Sequence, residues 1–155
     1  MRLLIFMSMV VALILSVFPL PFEWRVWRPE FVALLVVYWA MYSPEYFGIF
    51  MGWVCGLAYD LVELAPLGYN CVGLLVIAYI SHLSYQRIRS YAVWQQAFWV
   101  FILVGIYQLF CNWVSGFMQR SVESPDFLFA AMITAFLWPL LVVGMRTIRI
   151  YLRIS

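Results

Sequence analysis

The sequence contains no lysine, and charged residues of both signs make up only 10% of its 155 residues. A soluble domain usually carries about 25% charged residues, which keep its surface in water. Hydrophobic residues reach 67%, against a usual value of about 45–50%. This composition excludes an ordinary soluble fold. Nine arginines spread along the chain also give too little positive charge to hold nucleic acid, so lipid is the expected surrounding of most of the surface.

Patterns typical of metal sites and catalytic centres are also missing. The three cysteines, Cys55, Cys71 and Cys111, form no CxxC pair, and the single histidine, His82, has no second histidine beside it. The sequence contains no Gly-x-Ser-x-Gly, His-Glu-x-x-His or phosphate-loop motif. We therefore predict no metal, no cofactor and no catalytic residue, and we expect the cysteines to be small packing residues.

Hydrophobic runs occupy most of the chain and predict an all-α fold, a polytopic bundle of transmembrane helices in one domain covering residues 1–155. Six candidate spans lie at residues 3–20, 30–42, 46–64, 69–83, 94–118 and 127–145, followed by a short basic tail at 146–155. A single helix over 31–64 would be about 51 Å long, too long for a hydrocarbon core of about 30 Å. Ser43-Pro44-Glu45 is therefore predicted to form a turn between two short helices.

The arginine positions predict the orientation, because cytoplasmic loops carry an excess of basic residues. Six spans with the N-terminus inside put six arginines inside and three outside. The inner six are Arg2, Arg87, Arg89, Arg146, Arg149 and Arg153, and the outer three are Arg25, Arg28 and Arg120. Five spans with the N-terminus outside give seven against two. Span length favours six, and both arrangements put the C-terminus in the cytoplasm.

A row of glycines at four-residue spacing marks the third span. Gly48, Gly52 and Gly56 share one helix face, and Asp60 follows on the same stripe. Such a face lets another helix backbone approach closely in lipid, either inside the bundle or from a partner protein, and a ligand-binding face is the further alternative. A carboxylate inside a membrane span is energetically unfavourable unless it has a partner. We therefore expect Asp60 to pair with Arg28 or Arg25. The alternative is that Asp60 is protonated or reaches the surface.

Two further polar patterns lie near the end of the chain. Gln108 and Asn112 are four residues apart in the fifth span and are expected to join helices within the bundle. In the tail, Arg146, Arg149 and Arg153 share a helix face that suits anionic lipid, with about 1 kcal/mol for each charge.

Several landmarks together resemble one protein family over about residues 3–150. In chain order they are Arg28-Pro29-Glu30, Tyr38-Trp39, the glycine helix at 48–60, Pro66-Leu67-Gly68, Ala78-Tyr79 and Trp94-Gln95-Gln96. Their order and spacing resemble the bacterial rod shape-determining protein family MreD. Arg28, Pro29 and Asp60 fall on polar landmarks that recur in that family.

The resemblance implies a non-catalytic component of the cell-elongation machinery in the bacterial inner membrane. Members of this family bind the single-span protein MreC. Through MreC they connect to the elongation-specific glycosyltransferase and transpeptidase and to MreB filaments, and so support peptidoglycan synthesis and rod shape. The resemblance also implies a fold like the six-helix substrate-binding subunit of energy-coupling-factor vitamin transporters.

Two partner hypotheses and one alternative function accompany the resemblance. We expect the glycine face of the third span to contact MreC, and a second copy of the chain is a further candidate partner. The alternative function is a membrane subunit that binds or transports a small molecule, which would require polar groups that converge on a cavity.

Overall fold

The structure is a computed structural model that describes residues 1–19, 21–118 and 127–153. Within these residues all regular secondary structure is helical, with six α-helices, one 3-10 helix and no strand. The α-helices are α1 (Arg2–Val17), α2 (Phe31–Tyr42), α3 (Ile49–Val62), α4 (Tyr69–Ile88), α5 (Val93–Phe117) and α6 (Phe127–Tyr151), and the 3-10 helix covers Phe22–Trp27. The all-α prediction is confirmed.

The break between the second and third helices is also confirmed. Tyr42 ends α2, a turn covers residues 44–46, and Ile49 begins α3. The structure differs from the sequence prediction further along, because α4 continues to Ile88 and α6 continues to Tyr151. The added residues include polar and charged ones but contain no proline or glycine, so they extend each helix beyond its hydrophobic stretch.

Three of the helices in the described residues, α4, α5 and α6, are long and apolar enough to cross a membrane. The other three are apolar but shorter, with 16 residues in α1, 12 in α2 and 14 in α3. At about 1.5 Å per residue, α2 is only about 18 Å long. Its length alone does not match a hydrocarbon core of about 30 Å.

Helix α2 lies at the centre of the bundle, where it contacts each of the other five α-helices. Ten of its 12 residues are buried, as expected of a helix that is hydrophobic on every side. Hydrogen bonds attach it to its neighbours at both ends. The Trp39 indole N–H donates to Ser8 Oγ in α1 across 2.9 Å, and the backbone N–H of Glu30 donates to Thr134 Oγ1 in α6 across 3.0 Å.

Successive helices alternate in direction, so the bundle has two ends. We call the end where α3 meets α4 the Asp60 end, and the end where α4 meets α5 the Gln96 end. Gln96 is 2% exposed, and its Oε1 accepts hydrogen bonds from the Tyr42 hydroxyl at 3.0 Å and the Trp138 indole N–H at 3.3 Å. This one amide therefore joins α2, α5 and α6.

Candidate functional site

Asp60 is the centre of the polar cluster at the Asp60 end, and its side chain is completely buried, at 0% exposed. The carboxylate accepts two backbone hydrogen bonds from the start of α4. Gly68 N–H donates to Oδ2 and Asn70 N–H donates to Oδ1, each across 2.8 Å. The first N–H groups of a helix have no partner within the helix and carry partial positive charge. Asp60 therefore accepts hydrogen bonds from the N-terminus of α4 and compensates its partial positive charge.

The corner between α3 and α4 has an unusual backbone that this carboxylate holds in place. Gly68 has a φ of +98°, and Leu64 has a φ of +54°, a region that side chains other than glycine rarely adopt. Leu64 is 89% exposed at the tip of the corner. The predicted spans at 46–64 and 69–83 leave this corner between them, but the sequence did not reveal that Asp60 fixes it.

The cluster extends from α4 into α5 through Asn70. The Tyr107 hydroxyl donates to Asn70 Oδ1 across 2.7 Å, while Asn70 Nδ2 approaches Glu63 Oε2 at 3.5 Å. Nearby, the hydroxyls of Tyr69 and Ser115 are 2.8 Å apart. Asn70 thus connects the end of α3 and the start of α4 to the middle of α5, and sequence reasoning gave Tyr107 and Glu63 no role.

The expected ion pair of Asp60 with Arg28 is wrong. Arg28 Nη2 instead lies 3.5 Å from Glu63 Oε1, with both side chains about a quarter exposed. The prediction assumed that Asp60, near the C-terminus of its own helix, needs a cation. The buried carboxylate finds its positive partner in the N-terminus of the next helix, which leaves Arg28 for Glu63. Pro29 is half-buried between Arg28 and the start of α2.

The glycine row of α3 faces α4 within the same chain over two of its three positions. A Cβ at Gly56 would lie 2.5 Å from Cys71 Cα, and a Cβ at Gly52 would lie 2.7 Å from Ala78 Cβ. Gly48 differs, because a Cβ there would meet nothing within 4 Å. Gly52 and Gly56 therefore allow α3 and α4 to approach closely.

The basic residues of the tail lie at the Gln96 end. Arg146 and Arg149 belong to α6, whereas Arg153 lies just beyond its last residue, Tyr151. Arg146 and Arg153 are exposed and Arg149 is half-buried. This helix end can present two accessible guanidinium groups to a lipid surface.

The cysteines occupy packing positions, and the side chains of all three are buried. No group of three or more histidine, cysteine, aspartate or glutamate side chains that could hold a metal ion occurs in the described part of the chain. The cluster at the Asp60 end consists instead of groups that bind one another across helix boundaries.

Comparison with known proteins bears on the identity of the chain. The family model described as rod shape-determining protein MreD matches residues 1–148. The rod shape-determining protein MreD of Haemophilus influenzae is 26% identical over 140 residues, which is 90% of this chain and 86% of that protein. No solved structure matches, so the likeness to the vitamin-transporter subunit stays a prediction. The predicted resemblance is confirmed, and this membrane protein belongs to the MreD family of rod shape-determining proteins.

Proposed function

We propose that the protein is a non-catalytic scaffold in the bacterial inner membrane that binds MreC and thereby supports peptidoglycan synthesis during cell elongation. Support comes from the match to the MreD family over residues 1–148, a family named for cell shape rather than for a reaction. The hydrogen bonds of the buried polar side chains support the proposal too. Asp60 and Asn70 are bound to other groups of the same chain, so they hold helices together and do not converge on a cavity.

The proposed arrangement has six spans with both termini in the cytoplasm. A short α2 is compatible with this arrangement because other helices of the chain enclose it, and its ends need not reach the lipid surface. The arginines support the orientation. Those at the Gln96 end are Arg2, Arg87, Arg89, Arg146, Arg149 and Arg153, while Arg25 and Arg28 lie at the Asp60 end. An N-terminal reporter that is active only in the periplasm should stay inactive, whereas five spans would make it active.

The proposed contact surface for MreC is the outer side of α3. The glycine side is occupied by α4, so a partner can reach Gly52 or Gly56 only by displacing that helix. On the outer side, Phe50 and Trp53 form an exposed aromatic pair with their ring centroids 5.6 Å apart. Leu61, further along α3, is 64% exposed. Exposed aromatic residues of this kind are frequent anchors of protein interfaces.

An apolar groove beside α3 extends this surface toward α1. It has a volume of about 540 Å³ and is lined by Val10, Leu13, Ile14, Val17, Phe18, Pro19 and Val62. On its other side, α1 packs through a narrow stripe of Ile5, Met9, Ala12 and Ser16. A single transmembrane helix fits this site, since it would cover the sides of α1 and α3 that the chain leaves open.

Site-specific photocrosslinking in cells tests this proposal. A photoreactive residue at Trp53 or Leu61 in α3, or at Ile14 in α1, should give a covalent adduct that contains MreC. The matched control is Phe136 in α6, which is also highly exposed, at 77%, and should give none. Equal adducts from Phe136, or none from all three test positions in folded protein, would contradict the proposed surface.

Leucine substitutions at the α3 glycines are poor tests of MreC binding, because they disturb the packing of the protein itself. Leucine at Gly52 or Gly56 would clash with α4, so loss of MreC binding there would report damaged folding. Alanine at Phe50 or Trp53 removes surface atoms without such a clash, and co-purification of MreC with these variants is the more informative measurement.

A further inference from the structure

A second row of small and polar residues lies on α5. Gly105, Gln108, Asn112 and Gly116 follow one another at spacings of three, four and four residues, which places them on one side of the helix. We call these four residues the α5 amide face. None of them belongs to the cluster at the Asp60 end or to the proposed surface on α3 and α1.

Within the described residues, the oxygens of the two amides on this face are buried and have no hydrogen-bond partner. Gln108 is 8% exposed, and neither its Oε1 nor the Oδ1 of Asn112 has a partner in the described residues. The sequence-based expectation that these side chains join helices within the chain is therefore not met for either oxygen. In lipid, no solvent molecule supplies the missing donor, which makes an unpaired polar group unfavourable.

The glycines at the two ends of the face are open. A Cβ added at Gly105 or at Gly116 would meet nothing within 4 Å. Gly73 in α4 shows the opposite situation, because a Cβ there would lie 2.7 Å from the Tyr107 ring. The α5 amide face therefore combines two buried, unpaired acceptors with room for another helix backbone at Gly105 and Gly116.

We propose that a second copy of this chain docks on the α5 amide face, so that two α5 helices cross near Asn112. Two copies inserted in the same direction are related by a two-fold axis along the membrane normal, and such an axis joins identical patches. It also brings each residue of the face close to its equivalent at the same depth. A carboxamide has both a donor and an acceptor, so each copy supplies the donors that the other lacks.

This complementarity favours a second copy over an unrelated helix. A foreign span would need a donor at the depth of Gln108 and Asn112, whereas symmetry provides one automatically. The oxygens of both amides are enclosed by their own chain, so both side chains turn outward on docking, and Asn112, the less buried residue of the two, makes the first contact. Docking leaves α1 and the outer side of α3 free, and the dimer is independent of the proposed MreC surface.

Energy transfer between labelled copies of the full-length protein tests the dimer. It is measured in liposomes while the protein is diluted with lipid. Asn112→Leu should weaken association about threefold for each hydrogen bond lost. Gly116→Leu should weaken it roughly tenfold or more, because its side chain keeps the backbones apart. Gly144→Leu in α6 is the matched control, since Gly144 is equally open, and its dimer fraction should equal that of the unaltered protein.

Disulfide formation provides a second readout. Cysteine at Asn112 should form a dimer crosslink at least tenfold faster than cysteine at Met132, which is 57% exposed. The two positions lie at comparable depth, because residue 112 is five residues before the end of α5 at 117 and residue 132 is five residues after the start of α6 at 127.

Three results would overturn the proposal. The first is a protein that stays monomeric at every protein-to-lipid ratio. The second is an Asn112→Leu or Gly116→Leu variant with an unchanged dimer fraction and an intact thermal transition. The third is a cysteine at 112 that crosslinks in cells to a different protein and never to a second copy.

Discussion

Helices α3 and α5 carry similar rows of small and polar residues but have different surroundings. In α3, Gly56 lies against the backbone of α4, and the Asp60 carboxylate is fully buried with two backbone donors. In α5, Gly116 faces open space, and the Asn112 oxygen has no partner in the described residues. Among the described residues, one row is completed by a neighbouring helix of the chain and the other is not.

The difference shows that a small-residue row in a membrane helix indicates close approach but does not identify what approaches. Small residues favour helix association in lipid because they allow backbone contact, and this holds equally for a neighbouring helix and for a second protein. Only the atoms around each glycine distinguish the two cases.

The largest effect is expected at Gly56. Gly56→Ala should lower the free energy of unfolding by about 3 kcal/mol, the upper part of the range for overpacking, because the new Cβ meets backbone atoms of Cys71. Gly116→Ala should leave it unchanged or raise it slightly, since alanine is the better helix former. Equilibrium unfolding in detergent at monomeric dilution measures both. Equal effects of the two variants would mean that the α3–α4 contact is not tight.

A smaller loss is expected when the carboxylate of Asp60 is removed. Asp60→Ala leaves two buried N–H groups at the start of α4 without an acceptor and should cost about 2 kcal/mol. Glu63→Ala is the matched control, because its long and partly exposed ion pair with Arg28 should contribute at most about 1 kcal/mol. Thermal unfolding of the two variants side by side gives the comparison. A control that is as unstable as Asp60→Ala would contradict the role of Asp60 as the helix cap.

The sequence predicted the helical class, the break near Pro44 and the close approach along the α3 glycines. These depend on hydrophobic run length, proline and residue spacing, which are local properties. The partner of Asp60 was missed because its position near the C-terminus of α3 suggested a negative electrostatic potential. The N-terminus of α4 instead surrounds the carboxylate with partial positive charge. Gln96 and Tyr107 were also missed, since their partners lie 42 and 37 residues away along the chain, and no local pattern encodes such a distance.

Removing the hydroxyl of Tyr107 should have a modest effect. Tyr107→Phe deletes the 2.7 Å hydrogen bond to Asn70 but keeps the ring that packs on Gly73. Hydrogen bonds between membrane helices contribute about 0.6 kcal/mol on average, so the variant should lose roughly this amount in equilibrium unfolding. A loss of several kcal/mol would show that Tyr107 organises the cluster far beyond one bond.

The smallest effect on the monomer is expected at Asn112. Asn112→Leu removes an oxygen that has no partner in the described chain, so the free energy of unfolding at monomeric dilution should change by at most about 0.5 kcal/mol or increase. Asn70→Leu removes the acceptor of Tyr107 and should be clearly destabilising, by about 1–3 kcal/mol. If the two asparagine variants unfold alike, the contrast between the two rows fails.

Binding of purified MreC to the full-length protein in lipid nanodiscs tests the proposed scaffold most directly. We predict saturable binding to the unaltered protein and to Phe136→Ala. The double substitution of Trp53 and Leu61 by alanine should weaken binding at least tenfold while its thermal transition stays intact. Absence of saturable binding to folded protein, or equal affinity for the double variant, would contradict the account.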